Sequence, residues 1–364
     1  MPTLIARSAY KILIAASLAG LCACSGGSDA EEVDIPIAES IKVKAPDAKA
    51  EAIVLAATTF LQTLTPEQRK AVVFPFTDNA QRARWSNFPA GMFERMGLVR
   101  GDLNPQQNAA LDLLLAEVLS ENGVRNARLQ MVADDALKGQ GPAGGLSPNF
   151  GSAYYYVSFL GQPSTDAPWT MQFGGHHLAI NATFAGPEAS FSPMLTGGQP
   201  MTVTFEGKKV YITQAEVEAA RAFLLSLDAK QKAAAIRGTE SIQLVLGPGE
   251  HGTTIAPEGI IGSSLSEAQK QLLLAVIHAR VGHLNTRDSD AKMAEIKTKI
   301  DKTYFAWWGP EQPRGKAYYR VTGPSIVLEY SPQIMADDDP SEHAHNMYRD
   351  PTNDYGARWI RTGK

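Results

Sequence analysis

Cysteine is almost missing from this chain: two in 364 residues, Cys22 and Cys24, both close to the start. That excludes a disulfide framework and a cysteine-built metal finger. An excess of either charge is missing too, since 34 Lys and Arg against 38 Asp and Glu leave a formal net charge of −4. A nucleic-acid binder would carry a basic footprint, so no nucleic-acid partner is expected. After the N-terminal region no segment approaches the roughly 18 to 20 apolar residues of a membrane helix. There is also no Walker loop, dinucleotide glycine fingerprint, His-Glu-x-x-His helix or Gly-x-Ser-x-Gly elbow. What is present is ordinary globular material, 44% hydrophobic and 20% charged with 31 Gly and 22 Pro, long enough for one large core or two of ordinary size.

At the N-terminus Arg7 and Lys11 precede the apolar stretch 12–21, followed by Cys22-Ala23-Cys24. A basic region with an apolar run of about ten residues is a secretory signal, too short to span a bilayer. The Leu21-Cys22-Ala23-Cys24 segment resembles the bacterial lipobox, and the small Ala23 makes Cys24 the better candidate for lipidation. The expected organisation is a lipoprotein signal over 1–23, a lipidated Cys24 with a flexible linker over 24–50, and a body over 51–364. This implies a cell-envelope lipoprotein whose only lipid partner is the bilayer holding the acylated Cys24. In a diderm bacterium Ser25 after that cysteine points to the outer membrane, a periplasm-facing anchorage being the other placement. A plain cleaved signal is the alternative.

The body compares well with itself. Segment 60–68 echoes 223–231, with Thr65 and Asp228 at matching helix starts. Gly97-Leu98, Leu103, Gln107 and Leu111 echo Gly259-Ile260, Leu265, Gln269 and Leu273. Tyr156, Phe159, Gly161, Gly175, Leu178 and Ile180 echo Tyr304, Trp307, Gly309, Gly323, Ile326 and Leu328, in alternating segments that read as strands. The spacing predicts an α+β fold of two pseudo-repeated helix-loop-helix-hairpin units packed into one body, repeat A over about 51–205 and repeat B over about 214–355. Their strands are expected in a shared or packed sheet, because a lone hairpin cannot bury its own face.

Four of the seven histidines fall in two pairs, His176-His177 and His343-x-His345. In an extended segment residues i and i+2 share a face, so His343 and His345 can converge on one ion. His176 and His177 follow Gly174-Gly175; read as a strand, only one of them faces a given site. The expectation is a histidine cluster assembled from His176 or His177, His343 and His345 around a transition metal, zinc or copper foremost. Glu329 and Asp350 are the candidate carboxylates for general base or outer-sphere roles, and Arg349 a candidate anion binder. Trp85 and Asn87 are candidate ligand contacts from a loop opposite 247–252. His251 is a weaker candidate, while His278 and His283 do not share a helix face and read as structural or exposed. Paired histidines also occur on metal-free surfaces, so a cluster without coordination stays open.

Trp85-Ser86-Asn87-Phe88-Pro89, Gly174-Gly175-His176-His177-Leu178, and His343-x-His345 with Arg349-Asp350-Pro351-Thr352-Asn353-Asp354-Tyr355-Gly356 occur in that order. Together they resemble the domain of unknown function 3500 family, over roughly 50–358. The resemblance implies that these motifs belong to one module and supplies no activity. Three functions remain in view. One is a metal-dependent hydrolase acting on an exported or environmental small molecule or polymer; another is a metal-binding or scavenging lipoprotein without turnover. The third is a structural or adhesive envelope protein whose histidines coordinate nothing.

Overall fold

The protein is described here by a computed structural model that covers residues 41–139, 149–250, 255–312, 315–333 and 339–360. The N-terminal signal, Cys24, His251, the Gly/Pro-rich stretch 140–148 and Asp337 lie outside the described residues. No described helix is long and apolar enough to cross a membrane.

The first half runs α1 (Ala48–Gln62), α2 (Pro66–Val72), β1 (Val73–Phe74), α3 (Asn79–Ala83), β2 (Leu98–Val99), α4 (Pro105–Val118) and α5 (Glu121–Ala136). Strands β3 (Tyr156–Leu160), β4 (Trp169–Gly175), β5 (Leu178–Ala185), β6 (Glu188–Ser190) and β7 (Met194–Gly198) follow. A separate hairpin, β8 (Thr202–Phe205) and β9 (Lys208–Tyr211), precedes α6 (Gln214–Leu225) and α7 (Ala229–Ala235). Then come β10 (Ile236–Gly238), β11 (Ile260–Ile261), α8 (Glu267–Val281) and α9 (Thr286–Thr298). The chain closes with β12 (Tyr304–Trp308), β13 (Tyr318–Gly323), β14 (Ile326–Pro332) and β15 (Ala344–Arg349). The fold is α+β, as the patterning predicts.

Thirteen strands form one mixed sheet, in the order β1-β3-β4-β5-β7-β15-β14-β13-β12-β10, with β2 on β3, β6 on β5 and β11 on β12. Near one edge β1 runs parallel to β3 (Val73 opposite Phe159) and β2 antiparallel to it (Leu98 opposite Val157). Near the other, β10 runs parallel to β12 (Ile236 opposite Trp307) and β11 antiparallel to it (Ile260 opposite Phe305). The centre is the antiparallel pair β7 and β15, with His345 opposite Gly197.

Helix starts are set by local side chains, Thr65 and Asp228 among them as the sequence predicts. Thr65 with Gln68, Asn104 with Gln107, Asp228 with Gln231 and Ser266 with Gln269 each form a reciprocal capping box, worth about 1 kcal/mol apiece at the N-cap. Gln107 Nε2 also reaches Gln68 Oε1 at 2.8 Å and the Thr63 carbonyl at 3.0 Å, tying α4 to the start of α2. Gln269 Nε2 does the same to Gln231 Oε1 at 2.7 Å and the Ser226 carbonyl at 2.9 Å, tying α8 to α7.

Strand alternation divides the sheet into two faces. On one, Phe159, Phe173, Ile180, Leu328, Tyr330 and Tyr348 join Phe60, Leu111, Leu114, Phe223, Leu273 and Ile277 of the helices in the main core. The other face is buried yet polar, carrying Ser158, Gln172, Asn181, His345, Glu329 and Arg320. Over its centre, a small apolar cluster of Trp85, Ala179, Leu195, Met347 and Tyr355 joins the loops to the strands.

Candidate metal centre

The site sits at one end of this polar face, where the β4–β5 turn meets the start of β15. Gly175 pairs with Leu178, so His176 and His177 form the two-residue hairpin turn rather than continuing a strand. The preceding glycines are required by crowding. A side chain at Gly174 would strike the Leu178 carbonyl at 2.4 Å, and one at Gly175 would enter the Tyr155 ring at 2.8 Å. His177 adopts left-handed backbone with φ 57°, a conformation that a non-glycine residue holds at a cost of order 1 kcal/mol or more. Its N–H donates to the Asn87 carbonyl at 3.2 Å.

The turn therefore aims the two rings differently. His176 Nδ1 lies 2.7 Å from Asp134 Oδ1, whereas His177 Nε2 lies 2.9 Å from His343 Nε2. On the opposing strand His343 and His345 share a face, and their rings meet edge-on with centroids 5.2 Å apart. Gly197 of β7 stands between them and the turn. Its position opposite His345 carries no side chain, and a Cβ there would strike the Ala344 carbonyl at 2.2 Å. Across that gap the His177 and His345 rings come within 5.0 Å. Asn87 Nδ2 donates to His345 Nε2 at 3.2 Å.

His177, His343 and His345 are 4%, 8% and 6% exposed, and each offers a nitrogen such that all three lie within 4.8 Å of one another. Metal–nitrogen bonds of about 2.0–2.1 Å put two tetrahedral ligands roughly 3.3 Å apart, so the close pair is already at shared-ion spacing and the widest closes by about 1.5 Å. Burial, then the neighbouring imidazoles, holds His177 and His343 well below the usual histidine range. His345 is lowered to about 3, by burial and then by His176. Neutral imidazole is the metal-binding form. His343 Nδ1 is buried with no hydrogen-bond partner, and the 2.9 Å contact needs one of its two nitrogens to act as donor. A buried polar atom left unmatched costs about 1–3 kcal/mol. A cluster of this donor set can hold a transition-metal ion.

Other sequence-singled residues serve the frame around the cluster. Trp85 Nε1 donates to the Tyr355 hydroxyl at 2.8 Å, joining the first and third motifs. Arg95, which no motif in the sequence marks, donates from Nη2 to the carbonyls of Ser86, Phe88 and Gly175 at 2.7, 2.6 and 2.9 Å, clamping the Asn87 loop to the histidine turn. Arg349 is committed to the carbonyls of Leu246, Gly247 and Glu250 and to Asp354, leaving its guanidinium no role as an anion binder. His283 is buried against Arg280, its Nδ1 3.2 Å from the guanidinium, and His278 is exposed.

The two carboxylates named as bases are not brought to the cluster. Glu329 accepts from the backbone N–H groups of Val245 and Leu246 at 2.9 and 2.8 Å and from the Tyr318 hydroxyl at 2.5 Å. Asp350 lies beyond the far end of β15 from His343, where it bonds Lys292 at 2.6 Å and caps the turn at Thr352. Both anchor backbone and charge rather than facing imidazole. Glu329→Gln keeps the shape but replaces an acceptor oxygen with a donor. It is expected to lower stability by about 1–3 kcal/mol in thermal or urea unfolding, with metal stoichiometry unchanged.

Fold and site define an α+β protein with a buried three-imidazole cluster of metal-binding capacity. The sequence model of the DUF3500 family, described as a protein of unknown function, matches residues 46–357, and the chain belongs to that family. No curated protein and no solved structure matches the chain.

Proposed function

We propose that this protein is a cell-envelope lipoprotein, held to the bilayer through an acylated Cys24, whose body binds one transition-metal ion on His177, His343 and His345. The observation that carries the reading is the convergence of neutral, buried imidazoles from segments 166 residues apart, with a buried nitrogen left unmatched. Zinc and copper are the metals that neutral imidazole favours most. Three protein nitrogens leave a coordination position for water or substrate, the count used by hydrolytic zinc sites. This favours a metal-dependent hydrolase acting on an exported or environmental small molecule or polymer. Capture without turnover is the second reading, favoured by the slight exposure of all three rings. Purified full-length protein loaded with zinc, cobalt or copper and offered ester and phosphoester substrates separates the two. Metal-dependent turnover that disappears with His343 and His345 supports hydrolysis; tight binding without turnover supports capture.

We also propose that the body descends from two related units, about 51–205 and 214–355. Three features support this: the matching strand pairings at the two sheet edges, the matching glutamine braces, and the two-residue turns 176–177 and 324–325 at corresponding hairpins. In this reading the site is a specialisation of one unit, because Pro324 and Ser325 stand where the other unit has histidines.

A further inference from the structure

We infer that Asp134 is a positioning residue for the histidine cluster, acting through His176; this rests on the metal-centre reading above. Asp134 lies in the last turn of α5 and is 2% exposed. Neither circumstance suits a carboxylate. The C-terminal end of a helix carries the negative end of its dipole, costing an acid there about 0.3–1 kcal/mol. Burial adds a desolvation cost that only specific donors offset.

Those donors are present, and both lead toward the site. Oδ2 accepts the Gly151 N–H at 2.9 Å, and Oδ1 accepts from His176 Nδ1 at 2.7 Å. His176 therefore donates from Nδ1, and the carboxylate sets the orientation of its ring. The His176 ring lies against His177, with centroids 3.8 Å apart, and against Phe150 at 5.1 Å. The Tyr155 hydroxyl holds the His176 carbonyl at 2.9 Å. The residue before His177 is thus fixed at both ring and backbone.

This is what the left-handed backbone of His177 requires. A side chain in a sparsely populated conformation persists only where its surroundings over-determine it. Releasing His176 lets the two-residue turn relax, and His177 Nε2 then leaves the position facing His343. Asp134 acts at a distance from the ion, as carboxylates behind metal-site histidines do, where their loss weakens metal binding about 10–100-fold.

Zinc affinity, measured by competition with a chelating indicator on the purified full-length protein, tests this for the parent, Asp134→Asn, His176→Phe and the double variant. Asn keeps the volume but turns one acceptor into a donor; Phe keeps the ring against His177 without Nδ1. Each single variant is expected to weaken zinc binding about 10–100-fold. The double variant is expected to bind no more weakly than the poorer single, since both remove one interaction. General structural damage would instead lower the unfolding midpoint and give losses that add. Singles within twofold of the parent, or additive losses, overturn the inference. His176→Phe alone preserves the comparison if Asp134→Asn does not fold. A parent that binds no zinc brings down the metal-centre reading, which is a different result.

Discussion

Replacing both His343 and His345 by alanine should abolish metal binding at concentrations that saturate the parent, with the fold retained. These residues supply two of the three nitrogens of the cluster, His345 from β15 and His343 from the residue that leads into it. Structural zinc sites with four ligands bind with about 10–16 kcal/mol, or roughly 3 kcal/mol per ligand, so two lost ligands weaken binding by about four orders of magnitude. The metal-free protein should tolerate the change better than an ordinary buried double truncation. The variant removes His343 Nδ1, which has no partner, together with the close contact of two imidazole nitrogens. Isothermal titration with zinc gives the affinity, and circular dichroism reports whether the mixed sheet persists. Equal affinity in parent and variant would show that any bound ion sits elsewhere.

Stability should fall as acid is added from pH 6.5, and His345→Gln should flatten that fall. The sign follows from where protons bind. An unfolded chain protonates histidine near pH 6.5, whereas the folded His345 imidazole stays neutral down to about 3. The unfolded state therefore binds more protons across that window, and stability is full above pH 6.5 and drains toward pH 3. One such residue contributes a slope that rises to about 1.4 kcal/mol per pH unit below pH 6.5, or roughly 2.3 kcal/mol between pH 6.5 and 4.5. His283, also lowered to about 3 by burial and by Arg280, adds a slope of the same sign. Glu216 works the other way: burial raises its carboxyl to about 7, so the folded state takes up that proton before the unfolded chain does. Subtracting the variant from the parent in urea unfolding at a series of pH values cancels both. Parallel curves for the two proteins would mean that His345 titrates normally in the fold.

Much of the fold is legible from local rules. Thr65 and Asp228 cap helices where the sequence places them, because a side-chain acceptor followed three residues later by glutamine satisfies free N–H groups whatever the tertiary setting. Strand alternation also leads to the convergence of His343 and His345.

The rest depends on contacts between distant segments. His176-His177 reads as strand, since nothing in a histidine pair announces a left-handed turn; the turn is imposed by Tyr155 against Gly175 and by Asn87 on the His177 N–H. Glu329 reads as a base because a strand carboxylate near histidines is suggestive. Its partners Val245 and Leu246 lie on a loop more than 80 residues away in the chain. Asp134 and Arg95 leave no mark in the sequence, where an acid or a base in a polar segment looks like solvated surface. Asn87 is the exception, a loop residue named from the sequence that stands within hydrogen-bond distance of His345.

The most direct test is elemental analysis of the purified full-length protein after reconstitution with zinc or copper and extensive dialysis. A shared site on His177, His343 and His345 predicts about one equivalent of transition metal per chain, retained at neutral pH. Less than about a tenth of an equivalent would contradict it, since three converging neutral imidazoles are a binding site for such ions. The histidines would then be a buried polar cluster and no more.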